Sequence, residues 1–175
     1  MGRDKSWIKV NGVTLIERQV ALARTLNAEE VFISGRSGVD YGNLGCPVLH
    51  DRFEDSGPLA GIESGLAHAS SPLLLVLAVD LPRLEGSMLS RLLAQCSERV
   101  GVVPEVRGHL EPLVAVYPKQ SHRLAEKHLQ SGRLAVTAFA LTCLASHQLI
   151  RHTATPEELD LFENWNTPRC GDESS

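Results

Sequence analysis

A chain of 175 residues with a formal net charge of −4 is long enough for one domain with a sizeable core and too short for two comfortable ones. With 43% apolar and 22% charged residues the composition is that of an ordinary globular protein, and the acidic balance argues against a nucleic-acid or anionic-membrane partner. No stretch reaches membrane-span length, the first residues lack the apolar core of a signal peptide, and Cys46, Cys96, Cys143 and Cys170 are scattered without metal-type spacing, which points to a reduced, cytoplasmic setting.

Thr14-Leu15-Ile16-Glu17 is a capping box, and Leu15, Ile16, Gln19, Val20, Ala23 and Leu26 follow at helical spacing, so a helix is predicted over 14–27. A short strand over 31–34 ends in a turn or ligand loop at 35–38, and a second strand over 47–50 terminates at Asp51. After a charged loop, Pro58 suits the first turn of a helix over 58–69. Gly61 and Gly65 give that helix one smooth face, open to close approach by a strand or ligand. The run 73–79 is apolar throughout, as befits a strand covered on both faces; it predicts the central strand of a parallel sheet, ended by Asp80 and Pro82. There follow an amphipathic helix over 85–99, a strand over 101–104, a hairpin turn over 105–109 and a return strand over 113–117. Helices over 119–130 and 134–144, a late edge strand over 147–151 and an extended segment over 162–168 complete a single domain over 1–169, with 170–175 expected as a disordered tail.

This alternation predicts an α/β three-layer sandwich with a mainly parallel sheet. The first recognisable element is a helix with no strand ahead of it, so the first strand reads as missing and the middle seat of the sheet as empty. Asp80, delivered to the carboxyl end of a strand, stands where open α/β sheets bind ligands. There a carboxylate can hold Mg²⁺ against a phosphate; its competing role is to cap or turn the chain.

Five stretches carry a resemblance. Met1-Gly2-Arg3-Asp4-Lys5, Asp51 with Gly57-Pro58-Leu59-Ala60-Gly61, Leu77-Ala78-Val79-Asp80-Leu81-Pro82, Glu111-Pro112-Leu113-Val114-Ala115 and Asn164-Trp165-Asn166-Thr167-Pro168 resemble, in order and spacing, the motifs of the molybdenum cofactor guanylyltransferase family. The resemblance implies a Rossmann-like nucleotidyltransferase fold and transfer of GMP from GTP to Mo-molybdopterin, with Mg²⁺ as cofactor and release of pyrophosphate. It further implies that Lys5 contacts the nucleotide phosphates, Asp51 belongs to the GTP pocket, Asp80 binds Mg²⁺ and nucleotide, and Asn164 and Asn166 line the pterin side. Molybdoenzymes or their chaperones would receive the product. Arg36 and Arg133 read as solvated arginines, and no histidine is assigned a metal.

The family signature opens with a strand and a Gly-rich loop whose N–H groups cradle phosphate, whereas this sequence opens at that signature's last residues. The expectation is therefore a start upstream of Met1 and little or no transfer by the 175 residues alone. The alternatives are a related cytidylyl or sugar-phosphate nucleotidyltransferase and a truncated, inactive form that binds the pterin.

Overall fold

In the computed structural model residues 5–10, 12–35, 39–42, 44–53 and 55–163 are described, Lys5 by its backbone alone. A short turn at Lys5–Trp7 leads into a small hairpin, β1 (Lys9–Val10) against β2 (Val13–Thr14), that the sequence reading did not foresee. Helix α1 (Leu15–Thr25) starts on the predicted capping box: the Thr14 N–H donates to Glu17 Oε2 at 2.8 Å and the Glu17 N–H to Thr14 Oγ1 at 3.3 Å. It stops short of the predicted end because Asn27 takes a left-handed φ of 54°, which asparagine tolerates and a helix does not continue through.

β3 (Ile33–Gly35) and β4 (Val48–His50) pair in parallel, and α2 (Pro58–His68) crosses over to β5 (Leu73–Leu77). Helix α3 (Gly86–Leu93) ends earlier than its periodicity suggested, as Ser97 and Val100 close a bridge before β6 (Gly101–Val106). β6 turns through Arg107 and Gly108, both at positive φ, into β7 (His109–Leu110); two left-handed residues match the twist of a two-residue hairpin. β8 (Val114–Pro118), α4 (His122–Gln130), α5 (Val136–Ala145) and β9 (Leu149–Thr153) follow. The segment Pro156–Phe162 is a 3-10 helix opened by a second capping box, Thr155 with Glu158, where only an extended segment from 162 was expected.

The α/β three-layer arrangement stands, because consecutive residues of the sheet enter different cores. Val103, Ala115 and Tyr117 pack with α2, α4 and α5, while Val102, Val114 and Val116 pack with α3 and Phe162. The expected mainly parallel sheet is borne out in part. Among the described residues β3–β4 and β6–β9 pair in parallel, whereas β8 runs antiparallel to both β5 and β6, so that β5 and β6 point the same way. Among the described residues the strand at the centre is not the predicted one: β8, flanked on both edges, is buried throughout, and β5 is half-buried along its length. Among the described residues β5 pairs only with β8 and β3 only with β4, so two separate sheets meet under α2 and no strand occupies the facing edge of either. Gly61 lies over Ser34 of the first sheet and Gly65 over Leu74 of the second, as their spacing suggested. Among the described residues no helix is long and apolar enough to cross a membrane.

Candidate active site

The ladder of β5 continues one residue past the strand, where the Ala78 N–H donates to Leu113 O at 2.8 Å; the chain then turns and presents Asp80. That turn is pinned from outside the sheet. Gln19 Nε2 of α1 donates to Leu81 O at 3.0 Å and Arg18 Nη2 to Pro82 O at 2.9 Å. The capping box that starts α1 thus helps place a carboxylate more than sixty residues along the chain.

Beside Asp80 stands Glu111. Its N–H donates to Pro104 O at 2.8 Å, its carbonyl accepts from Val114 N–H at 3.0 Å, and the buried Tyr117 hydroxyl donates to Pro112 O at 2.8 Å. Asp80, Glu111, Pro112 and Leu113 form one wall of a cleft of about 230 Å³, closed by Val136 and Thr137 at the start of α5. Among the described residues no side chain caps that helix, whose first turn borders the cleft with the partial positive charge of a helix start. Burial, reinforced by the charge of Asp80, pushes the Glu111 carboxyl above the usual carboxylate range, with His109 acting weakly in the other direction. Two carboxylates at one mouth, with no hydrogen bond or ion pair to either carboxylate group among the described residues, fit a divalent cation. The sequence reading quoted Glu111 only as part of a motif and gave it no role. The signal available was its place at the start of a strand, but its proximity to Asp80 comes from the antiparallel pairing of β5 with β8.

Asp51 follows β4 and is not a wall of that cleft. The β4–α2–β5 crossover nevertheless puts both aspartates at the carboxyl ends of their strands, on the rim where such folds bind ligands. Asp51 Oδ1 is buried and has no hydrogen-bond partner among the described residues. A Cβ built on Gly61 would lie 2.2 Å from Ser34 Oγ and 3.8 Å from Asp51 Oδ1, so only glycine lets α2 come this near. Burial and the nearby charge of Glu63 raise the Asp51 pKa, against a weaker lowering by His50.

The Lys5 side chain, Arg36, Asn164 and Asn166 lie outside the described residues. Arg133 is engaged locally, its Nε donating to Ser131 Oγ at 3.2 Å. A larger cavity of about 690 Å³ between α2 and α4 includes Lys119, His122 and Arg123 and no carboxylate. It adjoins the opposite, amino-terminal end of β5, where the Lys119 N–H meets Pro72 O, so the smaller cleft is the better candidate for the chemistry.

Comparison with known proteins adds to this geometry. A family described as "MobA-like NTP transferase domain" matches residues 1–147. A probable molybdenum cofactor guanylyltransferase of Opitutus terrae is 34% identical over 98% of this chain and 87% of its own length. In three dimensions the chain is similar to molybdopterin-guanine dinucleotide biosynthesis protein A of Archaeoglobus fulgidus (TM-score 0.71, 22% identity, 95% of this chain and 86% of that one). It is also similar to 2-C-methyl-D-erythritol 4-phosphate cytidylyltransferase of Thermus thermophilus (TM-score 0.73, 18% identity, 94% and 88%). Those two likenesses establish the nucleotidyltransferase fold.

Proposed function

We infer the reaction from one premise: this chain belongs to the family of MobA-like NTP transferase domains, matched over residues 1–147. It is a nucleotidyltransferase of the molybdenum cofactor guanylyltransferase kind, transferring GMP from GTP to molybdopterin in the formation of the guanine dinucleotide cofactor. The observation that carries the site assignment is the pair Asp80 and Glu111 at one cleft mouth, on the carboxyl side of β5.

The bond made joins the terminal phosphate oxygen of Mo-molybdopterin to the α-phosphorus of GTP, and the bond broken releases pyrophosphate. A phosphate monoester is already mostly ionised near neutral pH, so the nucleophile needs no strong base. What the protein must supply is position and relief of charge repulsion between two anions. Asp80, joined by Glu111, would hold Mg²⁺, which when bound neutralises charge on the phosphate oxygens. Asp51 belongs to the nucleotide pocket, its buried Oδ1 having no hydrogen-bond partner among the described residues. Lys5 contacts the nucleotide phosphates, and Asn164 and Asn166 serve the pterin side; these three roles rest on the motifs alone. The product passes on to molybdoenzymes or their chaperones. The free thiols Cys46, Cys96 and Cys143 support a cytoplasmic setting.

The test is a nucleotide panel. With Mg²⁺ and Mo-molybdopterin, a protein that carries the family's Gly-rich opening loop is expected to give the dinucleotide and pyrophosphate from GTP, and far less from CTP. Equal or better use of CTP would move the assignment to the cytidylyl branch, and transfer from neither would overturn it.

A further inference from the structure

Glu63 is a carboxylate on α2 with no exposed surface, and it takes no part in the chemistry above. A buried charge is costly unless it is paired and hydrogen-bonded. Its partners come from two other parts of the chain. The Arg52 guanidinium grips it as a fork, Nη2 on Oε1 and Nε 3.4 Å from Oε2, and His122 Nε2 of α4 lies 2.7 Å from Oε1. Arg52 is the residue immediately after Asp51.

We propose that Glu63 and Arg52 are positioning residues that set the Asp51 carboxylate toward the nucleotide; this rests on the reading that Asp51 belongs to the GTP pocket. Residues two apart on a helix point about 200° from one another. Gly61 turns its bare face to Asp51 and Ser34, and Glu63 turns to the far side, toward α4. Consecutive residues of the incoming chain therefore straddle α2: Asp51 on one flank, Arg52 reaching round to the other. The fork fixes the second residue and, through the peptide between them, restricts the first. It also places a cation on the Glu63 carboxylate, whose charge bears on Asp51. The fork is the arrangement a planar guanidinium favours and an ammonium cannot copy in full. Glu126, 3.8 Å from Arg52 Nη2, adds a looser contact at the surface.

Arg52 is half-exposed, so its substitution opens no cavity in the core, but it leaves the buried Glu63 carboxylate with His122 as its remaining partner, which is why folding is controlled separately. The experiment measures Mg-GTP binding by titration calorimetry and steady-state kinetics with the full chain, for the unsubstituted protein, Arg52→Gln, Arg52→Lys and Glu63→Gln, with melting curves as the control for folding. Arg52→Gln is expected to raise both the GTP Kd and the GTP KM about tenfold. Its kcat and its KM for molybdopterin stay within about twofold. Arg52→Lys recovers part of the affinity, and Glu63→Gln, which keeps an acceptor for the fork, falls between. A folded Arg52→Gln protein with unchanged GTP affinity would overturn the proposal and leave the assignment of the reaction standing. So would parallel losses in kcat and both KM values, which signal general loosening. Failure of the unsubstituted protein to bind GTP would overturn the reading of Asp51 and the clamp with it.

Discussion

The carboxylates of this chain are handled in two opposite ways, and the contrast between Glu158 and the rim of Asp51, Asp80 and Glu111 is instructive. Glu158 is only 5% exposed. Burial pushes its pKa up, but that push is outweighed: His152 Nε2 lies 3.0 Å away, the Thr155 N–H donates at 3.0 Å and Arg91 Nη2 at 2.9 Å, so the net shift is downward. At the rim the described residues supply no such partners. Asp51 and Glu111 are partly withdrawn from water and both are raised, each feeling burial first and a neighbouring carboxylate second. A fold able to satisfy Glu158 so completely is not short of means. Charge left without a partner among the described residues at the carboxyl ends of β4 and β5 costs stability, and under the proposed function those carboxylates serve the nucleotide and its metal.

Substitutions on the two sides should therefore separate activity from stability. The largest effect is expected at Asp80, half-buried and without a side-chain hydrogen bond among the described residues. Asp80→Asn should lower GMP transfer by about a hundred- to a thousandfold, as does loss of other groups that stabilise transition-state charge, while the melting temperature hardly moves. Transfer by the asparagine variant at an undiminished rate would break the comparison at its functional end.

Next in size is Glu158→Ala, expected to cost about 1–3 kcal/mol of stability because it strands the donors that converge on the carboxylate. Its kcat is expected to match that of the unsubstituted protein. The sign with pH follows from the lowered pKa. The contribution of Glu158 is complete above the ordinary carboxylate pKa of 4.5 and disappears as pH falls through the lower value of the folded state. Melting curves of the two proteins should accordingly converge in acid.

The smallest effect is a reversal. The folded pKa of Asp51 is raised from 3.8, so its ionisation penalises the native state, and the penalty grows as pH climbs from that value through the higher folded one. Asp51→Asn should thus be slightly more stable than the parent at neutral pH and equal to it near pH 3, while binding GTP less well. A variant that is less stable at neutral pH would show that Asp51 is structural.

The local chemistry of several elements was readable in the sequence. Thr14 and Glu17 announce the start of α1, and the structure closes both of their hydrogen bonds. The matching pair Thr155 and Glu158 carried the same signal and was overlooked beside the extended stretch that follows. Helix ends were less legible. The left-handed backbone at Asn27 and His147 shortens α1 and delays β9, because a single residue's φ depends on what the chain must meet next. Glu63 was invisible as anything but a polar residue on a mostly buried helix. Its meaning comes from Arg52 and His122, brought to it by the packing of α2 on α4.

The sequence by itself determined a strand over 73–79, of which the structure forms Leu73–Leu77, an aspartate beyond its end, and glycines on the preceding helix that permit close approach. Those properties follow from side-chain polarity, spacing and backbone freedom over a few neighbouring residues. Only the tertiary structure decided that β8 lies beside β5 in the opposite direction, that Glu111 thereby shares a cleft with Asp80, and that Arg52 rather than water meets Glu63. Such outcomes depend on which distant surfaces bury one another, a sum over the whole core that no local pattern contains.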